Sequence, residues 1–128
     1  AREFKIPVIM ITDNGDGVVL HVERYDLGYD KIFDKDDAYW AGKMNLEWTR
    51  ELAGQTIMND IVGGADKVDP KMLASVQRVF KKELVSWSQL GSAAILGGVA
   101  ATVALKRIIL GASKSLTVRE YIHVGFID

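Results

Sequence analysis

The chain has no cysteine among its 128 residues. Disulfides, thiolate metal sites and a thiol nucleophile are therefore excluded within it. Neither sign of charge dominates: 16 basic and 17 acidic side chains leave a formal net charge of −1. A generic nucleic-acid binder carries a basic surplus, so nucleic acid is not an expected partner. No secretory signal is visible, because AREF at Ala1–Phe4 leads into no apolar run with a cleavage site. The expected location is cytoplasmic. Catalytic motifs are missing too. No serine sits in G-x-S-x-G, and Gly63-Gly64 and Gly97-Gly98 belong to neither a G-x-G-x-x-G nor a P-loop pattern. Nothing here cradles a triphosphate. There is no internal repeat and no low-complexity segment.

What is present is apolar. Hydrophobic residues make up 48% of the chain, enough for a core and against disorder. The length suits one domain over residues 1–128, or the C-terminal fragment of a larger one. The most membrane-like segment, Leu90 to Leu105, is uncharged but shorter than the roughly 20 apolar residues that a membrane span needs, and extending it backwards brings in Ser86, Ser88 and Gln89. It reads as a buried helix, with no membrane expected.

The stretch Thr12 to Glu23, TDNGDGVVLHVE, nearly matches a calcium loop. With Gly17 at the sixth position, Asn14, Asp16 and Glu23 fall at the third, fifth and twelfth, while Thr12 stands where Asp belongs. Its flanks argue otherwise. KIPVIMI (Lys5–Ile11) and VVLHVERY (Val18–Tyr25) both read as strands. The DNGDG between them is rich in residues that tolerate positive φ. A hairpin or strand-connecting loop is the expectation, with an Asp/Asn cation loop as the alternative. Asp13, Asn14 and Asp16 would then sit at a sheet end, where α/β folds often meet ligands.

The next segment, Asp26–Lys43, holds five Asp residues among Tyr29, Phe33, Tyr39 and Trp40. It reads as a solvated loop pinned by its aromatics. Asp34, Asp36 and Asp37 offer a cation or a basic partner an alternative use. Asn45 is the expected cap of a helix through Ala53, with Gly54 as a break, and Gly63-Gly64 as a terminator. Asp69-Pro70 starts a second helix whose apolar residues Met72, Leu73, Val76, Val79, Phe80 and Leu84 share a face. Its basic side reads as a solvated face or, alternatively, a phosphate contact. Ser86 or Ser88 is the expected cap of a long helix ending near Gly111. Small residues recur in it as Ala93, Gly97, Ala101 and as Ala94, Gly98, Thr102. Glycine costs a helix about 1 kcal/mol relative to alanine. The repeats therefore imply close approach of another backbone. An alternating strand over Val118–Asp128 closes the chain. His21 and His123 lie in strands and read as structural; His21 and Glu23 share one strand face.

Two stretches, Lys5–Asp26 and Met72–Gly111, resemble segments of the ThiF/MoeB/HesA superfamily of ubiquitin-activating-enzyme-like adenylyltransferases. Gly98, Ala100, Ala101, Lys106 and Gly111 resemble its late Gly/Ala-rich helix. The resemblance implies an α/β fold: a three-layer mixed sheet with helices, the C-terminal part of a Rossmann-like domain. It also implies ATP- and Mg-dependent activation of a carboxylate by a longer parent. The phosphate-contacting residues of that family lie upstream of what this chain covers, so it should hold no cofactor itself and catalyse nothing alone. It would supply a docking surface for a ubiquitin-like carrier, or a self-association surface. Candidate contacts are Asp13, Asn14, Asp16, Tyr39, Trp40, Trp87 and Gln89. The alternative is a standalone binding module without catalysis, its acidic loop holding a cation or a basic partner.

Overall fold

The computed structural model describes residues 1–86 and 90–123. Strands β1 (Val8–Asn14), β2 (Gly17–Glu23) and β3 (Thr117–His123) form one sheet in the order β1-β2-β3. Both pairings are antiparallel. The α/β class holds, but the mixed sheet expected from the resemblance does not: each strand returns beside its neighbour in the opposite sense.

Asn14 lies opposite Gly17, so β1 and β2 are joined through Gly15-Asp16 alone. Gly15 has φ +64°, a conformation that glycine adopts without a Cβ clash. The opening loop is thus a hairpin. An EF-hand needs a helix on each side of its loop, and here both sides are strands. Strand β1 begins at Val8 rather than Lys5. Pro7 has no N–H for a ladder, and Lys5 sits at φ 53°.

Helix α1 (Asp37–Met44) forms where a loop was expected. Its cap is Asp36, whose side chain accepts from the Tyr39 N–H. Asn45 therefore ends α1 rather than starting the next helix. Thr49 caps α2 (Arg50–Thr56), accepting from the Leu52 N–H. Gly54 does not break α2, which passes into a π-helical turn over Ile57–Val62. Gly63, at φ 104°, ends that turn. Helix α3 (Pro70–Phe80) has the expected Asp69 cap, accepting from the Lys71 and Met72 N–H groups. It stops short of Leu84, and Lys82 lies at φ 60°. Helix α4 spans Gly91–Ile109, with Leu90 rather than Ser86 at its N-cap. Ser88, and the end of the expected last strand at 124–128, fall outside the described residues.

Strand alternation sorts the side chains onto two faces. Ile9, Ile11, Val18, Leu20, Val22, Val118 and Ile122 share one face, by register. Helix α4 packs there over β1 and β2, burying Ala93, Gly97, Ala100 and Ala104. A Cβ on Gly97 would lie 2.7 Å from the Ile11 Cγ2. The first row of small residues thus meets its expected neighbour, the sheet. The other face carries Val19, His21, Glu23, Arg119 and Tyr121. The segment between β2 and α4 covers it. Phe33 stacks on His21 with centroids 5.0 Å apart, and the Tyr121 hydroxyl donates to the Val62 carbonyl at 2.7 Å. Strand β2 is therefore buried at every position, which explains why its hydrophobic alternation is blurred.

Candidate functional site

Three places merit consideration: the hairpin tip, the polar layer beneath the sheet, and the outer side of α4. At the hairpin tip the three candidate ligands diverge. Asn14 is 1% exposed. Its Nδ2 donates to the Lys67 carbonyl and its Oδ1 accepts from the Asp69 N–H, both at 2.8 Å. The amide ties the start of α3 to the sheet, with its oxygen turned to the Asp69 N–H. Asp13 points to the opposite face of the sheet, by alternation. Asp16 is exposed and pairs with Lys71 at 3.3 Å. The expected acidic cluster is occupied in the same way. Asp34 accepts from the Tyr29 hydroxyl at 2.7 Å, Asp36 caps α1, and Asp37 pairs with Arg2 at 2.7 Å. Among the described residues, no group of three or more acidic or histidine side chains converges as a metal site would require.

The polar layer beneath the sheet is built from ordinary parts. Glu23 is 4% exposed. It accepts from the Tyr25 hydroxyl at 2.5 Å and the Phe33 N–H at 2.5 Å, and bonds the His21 Nε2 at 3.2 Å. Burial pushes its pKa up, but those hydrogen bonds outweigh burial and hold it below the usual carboxylate range. Burial and the Glu23 carboxylate raise the Tyr25 phenol above its ordinary value. His21 is 2% exposed, with its Nδ1 buried and unpartnered. A histidine so enclosed cannot reach a substrate. The network orders the Tyr25–Phe33 turn against β2.

Tyr39 and Trp40 belong to the same layer, on α1. The Trp40 indole donates to the Ile32 carbonyl at 2.8 Å. The Tyr39 hydroxyl donates to Asp60 at 2.8 Å, and Lys43 forms an ion pair with Asp60. Burial lowers the Lys43 pKa; its bonds to Asp60 and Tyr39 outweigh that and raise it. Asp60, 3% exposed, is the hub, and its own carbonyl accepts from Arg119 at 3.2 Å. These aromatics pin the segment to the body of the domain, as expected of them, and Tyr39 keeps 39% of its surface exposed. Sequence reasoning missed the Lys43–Asp60 pair. Its partners lie on separate helices, and only the fold brings them together. The candidates Trp87 and Gln89 fall outside the described residues.

The outer side of α4 is different. Helix α4 has no charged residue before Lys106, yet only its inner row is covered. Ile95 is 73% exposed, Val99 57% and Ile109 73%. Beside the helix, over β3, runs a groove of about 380 Å³. Leu20, Val22, Val118 and Ile122 form its floor and Val99 and Val103 its wall, and its polar points include Arg24, Arg107 and Glu120. The helix is long and apolar enough to cross a membrane by length and composition, with 22% of its apolar window buried. The sequence signal for this face was present in Leu90–Leu105. That run shows that a helix is apolar on all sides, but not which sides its own chain covers.

No protein-family model matches the chain, and neither a curated protein nor a solved structure matches it.

Proposed function

We propose that this chain is a protein-interaction domain whose docking face is the outer side of α4 with the adjoining groove over β3. The apolar outer row of α4 carries the reading. Ile95, Val99, Val103, Leu105, Ile109 and Leu110 are each at least 45% exposed. Together they put on the order of 600 Å² of apolar surface in water, the upper end of what a typical monomer shows in one patch. The rest of the chain supports a scaffold role. The polar layer pairs Glu23 with Tyr25 and His21, and Asp60 with Lys43 and Tyr39, which ties the segment between β2 and α4 to the sheet.

The adenylyltransferase reading is a finer version of the same proposal. A longer parent would use ATP and Mg to activate a carboxylate, and this face would receive a ubiquitin-like carrier. It requires a nucleotide-binding half that this chain does not supply. The chain alone is expected to show no heat of ATP binding in calorimetry.

The docking reading is tested with an Ile95→Lys/Val99→Lys/Ile109→Lys variant. The parent should either bind the apolar dye anilinonaphthalene sulfonate or show a light-scattering mass above 14.1 kDa. The variant should do neither and keep the parent's circular dichroism. A parent that is monomeric and dye-silent, or a variant that unfolds, would refute the reading. In the second case the outer row would belong to the core.

A further inference from the structure

The docking face is self-complementary, and we infer that its occupant is a second copy of this chain, in a two-fold dimer that rests on the docking reading above. The argument begins with widths. A helix with its side chains is about 10–12 Å across. Strands lie about 4.8 Å apart, so one helix roofs about two of them. Helix α4 packs over β1 and β2 and leaves the β3 side of the same face as a groove. The uncovered strip is one strand wide, about 4.8 Å, so a second helix laid there would roof β3 and overhang the sheet edge.

Helix α4 itself has the apolar surface for that place. A helix apolar all round is one that is buried all round, and its own sheet buries only the row through Ala93, Gly97, Ala100 and Ala104. A two-fold axis beside α4 would lay each copy's α4 in the other's groove. The two helices would then form one layer between two sheets. Each inner row would meet its own β1 and β2, and each outer row the partner's β3. Gly98 fits this arrangement. A Cβ there would meet nothing within 4 Å in a single copy, although glycine weakens the helix. A partner's sheet at close range gives that glycine a use.

Charge and area agree. Glu120 is the acidic residue lining the groove, and it is exposed. Lys106 and Arg107 are the charges on α4, and both are exposed. None of the three forms a salt bridge among the described residues; the dimer offers them opposite partners. The outer row contributes on the order of 600 Å² per copy, so two copies bury roughly 1,200 Å², the lower bound of stable interfaces, before the groove is counted.

Sedimentation velocity and light scattering on the full chain, over roughly 1–100 μM, test the inference. The expected result is a dimer. Val99→Lys and Glu120→Lys should each weaken it at least tenfold with circular dichroism unchanged. Mixing the Glu120→Lys chain with a Lys106→Glu/Arg107→Glu chain should restore association, which a pairing inside one copy cannot do. A monomer at roughly 100 μM overturns the inference; if that monomer binds the dye, the docking reading survives. A dimer indifferent to both variants also overturns it, because its interface lies elsewhere. So does a chain that stays in solution only with detergent or phosphatidylcholine vesicles, which would make a lipid surface the occupant. Should Val99→Lys fail to fold, Glu120→Lys decides alone.

Discussion

Gly97 and Gly98 are neighbours in one helix and should respond oppositely to the same change. Replacing either with alanine removes glycine's helix penalty, a gain of about 1 kcal/mol. At Gly98 that gain stands alone, since a Cβ meets nothing within 4 Å. At Gly97 the new Cβ would lie 2.7 Å from the Ile11 Cγ2 and 3.7 Å from the Val18 Cγ1. The Ile11 methyl sits on the branched Cβ of β1, so it can move aside only by changing a stiff χ1 rotamer or by shifting the strand. Overpacking of this kind costs about 1–3 kcal/mol. Gly97→Ala should therefore be neutral to about 2 kcal/mol less stable than the parent, and Gly98→Ala about 1 kcal/mol more stable. The propensity term cancels in the comparison, so the difference of about 1–3 kcal/mol reports the helix–sheet approach itself. Urea unfolding followed by circular dichroism measures it. A Val99→Lys background keeps association out of the comparison. Equal stabilisation by both alanines would mean that the sheet does not crowd Gly97, and the account of the small-residue row would fail. Gly97→Leu should not yield a folded chain.

Asn14→Ala should cost about 2–3 kcal/mol in urea unfolding, because it strands the Lys67 carbonyl and the Asp69 N–H in a buried seam. Lys43→Met should cost about 3 kcal/mol by the same assay, since it leaves the buried Asp60 carboxylate without its cation; a change below 1 kcal/mol would refute the role of that pair. The Tyr29 phenol is raised from 10.0 to about 12, first by burial and then by its bond to Asp34. A raised folded pKa gives stability that is complete below pH 10.0 and lost as pH climbs through about 12. Melting temperature should fall over that window, and less steeply in Tyr29→Phe. Millimolar calcium should leave the melting temperature unchanged; an upward shift would mean the hairpin tip binds the ion.

Local chemistry was legible in the residues themselves. DNGDG between two β-branched runs specifies a hairpin because glycine alone takes the loop's positive φ cheaply. Asp69-Pro70 specifies a helix start, because a carboxylate there satisfies N–H groups that have no other partner. Of the paired glycines of α4, Gly97 meets the close approach that the sequence implied, while Gly98 lies exposed with Ala94 and Thr102, and a Cβ on it would meet nothing within 4 Å. Helix α1 escaped notice because its cap, Asp36, stands among other aspartates and its apolar periodicity is weak. Sheet sense was open too: a β-β-helices-β order suits several topologies, and long-range pairing decided that β3 runs antiparallel to β2. The proposed docking face depended on the same step. Sequence establishes that Gly91–Leu105 carries no charge on any side. Only packing decides which sides are covered, because burial is a property of neighbours brought from elsewhere in the chain. Helix α4 settles over β1 and β2, and its outer row and the β3 groove are what that packing leaves uncovered.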